Sequence, residues 1–332
     1  MTKNSRKKII AIAVCVALVV AIVAILAAYL LKNVGTGKSD ISSSTQSEMA
    51  GDADTVYYQG KTYRYNSDLM NVLFLGIDTS EEVTLQDMPG LAGQSDCILI
   101  LSADKNEQTI RLLQVSRDTM TDIDLFDVSG DYLISIETQV ATQYAYGNGE
   151  KSSCWAAKKT ISELLYGLQI DGYLSMNLEG ISKINDAVGG VTLTLEQDAT
   201  EIDSSFQKGK TVTLTGEQAE AFVRYRDINI SGSNQDRMAR QMQYLPALLQ
   251  AAKEYVGSGD YYQTFYHIVE PYTVTDLSAD QMNQLALYDF LENEVETVPG
   301  TLQAGTEHDE FYVDEDALYE LILDMFYEEI ED

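Results

Sequence analysis

Strand-like and helix-like segments alternate through most of this chain. They predict a single layered α-β-α domain with a central mixed sheet, preceded by one N-terminal transmembrane helix. Three observations carry that expectation. Short apolar runs recur at 72–76, 97–102 and 109–115, as buried strands do. Stretches of helical spacing fall between later strand-like runs, and elements that alternate in this way bury both faces of a sheet. An uncharged apolar run, 9–31, stands apart from all of them at the N-terminus.

As a helix, that run is roughly 34 Å long at about 1.5 Å per residue, enough to span a bilayer with some tilt. Lys3, Arg6, Lys7 and Lys8 precede it, which places residues 1–8 in the cytoplasm and the rest outside. The run exceeds the ordinary length of a cleaved signal core, and Ala27-Ala28-Tyr29 is a poor cleavage site, so an uncleaved signal-anchor in the plasma membrane is expected. Residues 32–54 are rich in Gly, Ser, Thr and Asp without apolar periodicity and read as a flexible stalk. Residues 55–332 are then the extracytoplasmic domain.

Within it, 56–65 reads as a hairpin turning at Gln59-Gly60. Helical spacing appears over 156–166, a strand over 173–178 and a helix over 181–188 that stops at Gly189-Gly190. Val191 to Leu195 alternates as a strand. Thr215 with Gln218, and Ser278 with Gln281, have capping-box spacing and open two further helices. A long helical stretch covers 235–256. Asp314 caps a last amphipathic helix with Leu318, Leu321, Ile322, Met325 and Phe326 on its apolar side.

The chain has 52 acidic and 22 basic residues, a net charge of −30, and no acidic residue precedes Asp40. With five basic residues gathered at the anchor (Lys32 is the fifth), the outer part is more acidic still. That excludes nucleic acid as a partner, because its recognition needs a basic footprint. Two histidines far apart, His267 and His308, exclude a His-based zinc site and a Ser-His-Asp triad. A Cys97–Cys154 disulfide is left open by the sequence.

Against this acidic background, clustered arginines need a reason. Asp78 follows the first apolar strand and Asp96 precedes the second. If those strands pair antiparallel, the two carboxylates converge at one sheet edge, where they either cap turns or hold a divalent cation such as Mg²⁺. Arg117 and Asp118 follow the third strand, as a plain ion pair or as part of a site. Residues 221–226 read as leaving a helix and alternating, which puts Arg224 and Arg226 on one face, an uncomfortable pair unless an anion lies between them. Arg237, Arg240 and Gln241 share one face of the long helix. Carboxylates beside guanidiniums are the equipment of a pyrophosphate-handling site.

In this order the segments Asn71 to Asp78, Ser95-Asp96, Ser116-Arg117-Asp118-Thr119, Tyr144-Ala145-Tyr146-Gly147, Asp186 to Val191, Gly216 to Arg226 and Arg237 to Gln241 resemble the LytR-CpsA-Psr family of cell-envelope proteins. The resemblance covers about residues 70–326. It implies a phosphotransferase that moves a glycopolymer, a teichoic-acid or capsular-polysaccharide precursor, with one phosphate from a polyprenyl-pyrophosphate-linked donor to a hydroxyl of peptidoglycan. It further implies Asp78 and Asp96 as ligands of Mg²⁺, or of Mn²⁺ as the alternative ion. Arg117, Arg224, Arg226, Arg237 and Gln241 would hold the pyrophosphate, and Arg117 and Asp118 would be catalytic, with a metal-polarised carboxylate as the other candidate base. The chain departs from the family at Gln94, where arginine is frequent. That implies weaker activity or a less charged donor. A hydrolase that releases the polymer, and a membrane-tethered glycan-binding scaffold, remain as alternatives.

Overall fold

The computed structural model describes residues 55–330 except 228, 258 and 307, and the backbone alone for 292–294. The expected tail (1–8), anchor (9–31) and stalk (32–54) lie outside the described residues, among which no helix is long and apolar enough to cross a membrane.

Strands β1 (Thr55–Tyr58) and β2 (Lys61–Tyr65) form the expected hairpin. Gln59 and Gly60, at φ 48° and 84°, supply the two left-handed residues that a tight hairpin turn requires. The three apolar runs become β3 (Leu69–Ile77), β4 (Ser95–Asp104) and β5 (Thr109–Val115), an antiparallel meander in the register Val72↔Leu101 and Leu101↔Leu112. A hairpin of β6 (Met120–Phe126) and β7 (Tyr132–Gln139) follows, then a 3-10 segment over Val140–Tyr146.

The chain continues through α1 (Lys151–Leu164), β8 (Gly172–Asn177) and α2 (Leu178–Ala187). Next come β9 (Val191–Thr194) and β10 (Thr211–Leu214), paired antiparallel, then α3 (Gly216–Arg224) and α4 (Ser233–Val256). The last third comprises β11 (Thr273–Thr275), α5 (Ala279–Leu287), β12 (Asp289–Thr297), the paired β13 (Gly300–Ala304) and β14 (Asp309–Val313), α6 (Glu315–Phe326) and β15 (Tyr327–Ile330), which returns to pair with β2.

The central sheet has the order β11-β8-β3-β4-β5-β12. It is mixed: β8 runs parallel to β3 and β12 parallel to β5, while the other neighbours are antiparallel. Because successive side chains of a strand alternate, β3 splits its apolar residues between two cores. Leu73, Leu75 and Ile77 pack with Cys154, Ala157 and Ile161 of α1 and with Leu318, Ile322 and Phe326 of α6. Met70 and Val72 face Met242 and Leu245 of α4 and Leu285 of α5. Helices thus cover both faces, as expected. A further core joins β9 and β10 to α2, α3 and α4, with Phe206 and Phe222 edge to face at 5.7 Å. Both capping boxes form: the Thr215 and Ser278 hydroxyls accept the N–H of Gln218 and Gln281. Cys97 and Cys154 are both free.

Two local expectations differ. Residues 221–226 do not begin to alternate; α3 stays helical through Arg224. Its terminal carbonyls find partners on α4, which removes the need to unwind: Arg240 donates to the carbonyls of Phe222 and Tyr225, and Gln241 to that of Val223 at 3.1 Å. The β6–β7 hairpin was not anticipated, since β7 is exposed along most of its length and shows no buried stripe.

Leu73 is fully buried at the centre of the sheet. Replacing it with alanine should cost about 3 kcal/mol through lost transfer energy and a residual cavity, measurable as a lowered urea midpoint with an unchanged slope.

Candidate functional site

Pairing of β3 with β4 brings Asp78 and Asp96 to one sheet edge. The register slips by one residue after Gly76, so Ile77 lies opposite Ser95. Beyond it, Asp78 and Gln94 clasp each other: the Asp78 N–H donates to the Gln94 carbonyl at 3.0 Å, and the Gln94 N–H donates to Asp78 Oδ1 at 2.6 Å. The turn that permits this runs through Gly93 at φ 79°, where a Cβ would meet Asp78 Oδ1 at 2.8 Å.

Asp96 receives two guanidiniums. Arg117 Nη1 donates to Oδ1 and Arg237 Nη1 to Oδ2, each at 2.5 Å. Arg117 enters from the end of β5 and Arg237 from the first turns of α4. Both are buried, at 7% and 1% exposure, which makes their pairing with Asp96 obligatory. Arg237 Nη2 donates to Asn234 Oδ1 at 2.6 Å, Asn234 Nδ2 donates to Asp118 Oδ2 at 2.9 Å, and Asp118 Oδ1 stands 3.6 Å from Arg117 Nε. The result is a closed ring: Asp96, Arg117, Asp118, Asn234, Arg237. Gln139 Nε2 ties it outward, donating to Asp118 Oδ1 and to the Asp309 carbonyl, both at 2.9 Å.

Asn234 and Gln139 are the members that the sequence reading missed. Asn234 stands one helical turn before Arg237, the single signal that pointed to it. Gln94, where arginine was expected from the resemblance, accepts a hydrogen bond from Arg117 Nη2. A second guanidinium there would have faced Arg117 with no acceptor to offer.

Other predicted residues are placed as follows. Gln241 is buried, and its Oε1 has no hydrogen-bond partner among the described residues. Arg224 is exposed at the end of α3, 3.4 Å from Glu220. Arg226 lies beyond the helix, where its charge acts on Asp118, Arg237 and Asp309. Arg224 and Arg226 therefore do not form the extended same-face pair.

Behind this polar edge is an apolar cavity of about 190 Å³ between the sheet and α2, α3 and α4. Phe74, Leu99, Leu174, Ile181 and Leu248 line its depth, and Asp78, Asp96, Arg224, Arg237 and Gln241 line its polar side. An apolar chamber that ends in carboxylates and guanidiniums suits an amphiphile with an anionic head.

The electrostatics follow from burial. Burial pushes the Asp118 carboxyl up, with Arg117, Arg226 and Arg237 opposing. Burial also weakens Arg237's hold on its proton, against Asp96. Asp78 keeps an exposed edge, yet the surrounding protein pushes its carboxyl up; the Gln94 N–H pulls it down, and the charge of Asp96 adds to the rise.

A carboxyl raised on folding adds stability below about pH 4 that is lost as pH climbs through the raised value. Asp78→Asn keeps the acceptor for Gln94 and removes the charge. In metal-free buffer the variant should melt above wild type at pH 7, and the two melting temperatures should converge as pH falls toward 4.

Comparison with known proteins agrees with this architecture. An Enterococcus faecalis protein named polyisoprenyl-teichoic acid–peptidoglycan teichoic acid transferase TagU is 29% identical over 228 residues, 67% of this chain and 66% of that protein. A Halalkalibacterium halodurans protein of the same name is 27% identical over 190 residues, 57% of this chain and 55% of that protein. The chain thus spans between about half and two thirds of the length of these relatives. A crystal structure of a Streptococcus agalactiae protein shares the fold at a TM-score of 0.61 and 18% identity, covering 79% of this chain and 90% of that one. The LytR_cpsA_psr family model matches residues 32–321, and the chain belongs to that family.

Proposed function

We propose that the domain is a phosphotransferase that moves a glycopolymer, with one phosphate, from a polyprenyl-pyrophosphate-linked donor to a peptidoglycan hydroxyl. One observation carries the reading: the apolar cavity opens beside Asp78, Asp96, Arg224, Arg237 and Gln241. A polyprenyl chain in the cavity leaves its pyrophosphate among the guanidiniums. The names of the relatives support the same reaction class. In this reading the chain is anchored in the plasma membrane by 9–31, with 55–332 outside, so domain and donor meet at one surface.

Breaking a phosphoanhydride requires that the charge on the departing phosphate be neutralised. Arg237 and Arg117 are held in place by Asp96, and Arg224 and Arg226 approach from the end of α3. Gln241 Oε1, buried without a partner among the described residues, can accept from a bound hydroxyl or water. Asp118 has both oxygens engaged, by Gln139 and Arg117 on one side and Asn234 on the other. Its role here is to fix Arg117, which leaves Asp78 as the carboxylate with an exposed edge at the cavity.

Asp78 and Asp96 fit a divalent cation. Asp78 keeps an exposed edge beside the charge of Asp96, and every carboxylate oxygen already bonded keeps a second lone pair. Among the described residues no three His, Cys, Asp or Glu residues gather as a metal group. Two carboxylates with the remaining positions filled by water and phosphate oxygens is the habit of Mg²⁺, with Mn²⁺ the alternative. When bound, the ion would neutralise phosphate charge.

Arg117→Ala should lower transfer by about 100-fold or more in a reconstituted donor–peptidoglycan assay, with the circular dichroism of the folded domain retained; a wild-type rate would end the assignment of Arg117. In the same assay, wall-linked glycan marks a transferase and free phosphorylated glycan a hydrolase. Addition of Mg²⁺ should raise the melting temperature of wild type by a few degrees and leave Asp78→Asn unchanged.

A further inference from the structure

Helix α4 separates the apolar cavity from a second concavity that the phosphotransferase reading does not use. Gln241, Tyr244, Leu245 and Leu248 face the cavity. Gln243, Pro246, Ala247, Gln250 and Glu254 line a groove of about 950 Å³. At about 100° per residue the two stripes lie on roughly opposite sides of the helix. The far wall of the groove is the exposed face of β9.

The groove is mixed in character: Val188, Met242, Ala251, Phe290 and Val295 give it an apolar part, and its polar part is uncharged apart from carboxylates. Thr192 and Thr194 stand outward on β9 and pair across the hairpin with Thr213 and Thr211, hydroxyl to hydroxyl, at 2.7 and 2.8 Å. Each pair uses one donor and leaves another hydroxyl hydrogen and several lone pairs directed to solvent. On α4, Gln250 donates to Glu254 at 2.7 Å, which leaves the Gln250 carbonyl oxygen open, and the Tyr255 ring is 60% exposed at the end of the groove. Pro246 lies inside the helix. It has no N–H to give the carbonyl four residues earlier, that of Met242, which also lines the groove. Among the described residues no lysine or arginine lines it, although the site on the other side of α4 gathers several.

The geometry points to a binding groove for an uncharged, polyhydroxylated glycan. Hydroxyl ladders, a side-chain amide, a freed backbone carbonyl and carboxylates are partners for sugar hydroxyls, and an exposed tyrosine face accepts the C–H face of a pyranose. A polyphosphate chain would meet Glu196 and Glu254 with no cation to offset them. The inference goes beyond the transfer reaction and stands on binding alone. The glycan has two sources, the acceptor strand or the polymer of the donor.

Calorimetric titration of the full-length protein in detergent tests it with two sugars. Chitotetraose has the chemistry of an acceptor strand, and maltoheptaose that of an uncharged donor polymer. At least one should saturate near ~1 mM. Affinity should fall about tenfold or more in Tyr255→Ala/Gln250→Ala, whose side chains are surface-exposed, and stay the same in Arg117→Ala; polyphosphate should not compete. The sugar that binds identifies the source. Absence of saturation for both sugars up to ~10 mM, binding indifferent to the double substitution, or displacement by polyphosphate would each overturn the proposal. The transfer reading fails on a rate and this one on an affinity, so the two failures are distinct.

Discussion

Two guanidiniums on one carboxylate form the constraint around which the polar edge is built. Asp96 cannot leave Arg117 and Arg237 without stranding two buried cations, a loss of roughly 3–5 kcal/mol for an interior pair. That clasp fixes the end of β5 against the start of β4 and sets the first turns of α4 over both. The cavity, walled by the sheet and α4, inherits its mouth from this arrangement. Asp118 and Asn234 close the ring from behind and keep the guanidiniums from turning toward each other. In the proposed function a pyrophosphate entering such a site meets donors already aimed, and the ordering cost falls on the fold before the ligand arrives.

The balance of charge is compatible with the anionic donor proposed for so acidic a chain. The field of the whole domain repels phosphate, but screening confines that repulsion to about a Debye length from exposed charges. The guanidiniums of Arg117 and Arg237 lie inside, where screening is weaker. Selection between ligands is then spatial. On the two proposals, phosphate is favoured on the Arg237 side of α4 and uncharged hydroxyls on the Gln250 side.

Much of this was legible in the sequence, and the exceptions have physical causes. Apolar runs at 72–76, 97–102 and 109–115 mark the meander because buried central strands cannot hide their composition. Capping boxes at Thr215 and Ser278 are local and were read residue by residue. Asp78 and Asp96 were expected to converge on the condition that β3 and β4 pair antiparallel, which they do. Asn234 and Gln139 left no comparable mark, since an amide that bridges ring members looks like any surface amide. The end of α3 was misjudged because its caps, Arg240 and Gln241, come from another helix. The exposed β7 and the acidic β12, an edge strand with a register shift between Phe290 and Val295, lack the apolar stripe by which strands are recognised.

The ring also has an order of assembly. Arg237 reaches Asp96 across 141 positions of chain, and Asn234 reaches Asp118 across 116. Closing such long loops is entropically slow, and contacts of this separation form late in folding. A chain delivered N-terminus first exposes Asp96 and Arg117 on a nearly complete meander long before α4 emerges. Until then their charges stay hydrated and cost nothing; the desolvation falls due in a single late step, when α4 docks. The polar edge is therefore completed only when α4 docks, and a molecule stalled before that step carries the β3–β5 meander and no site.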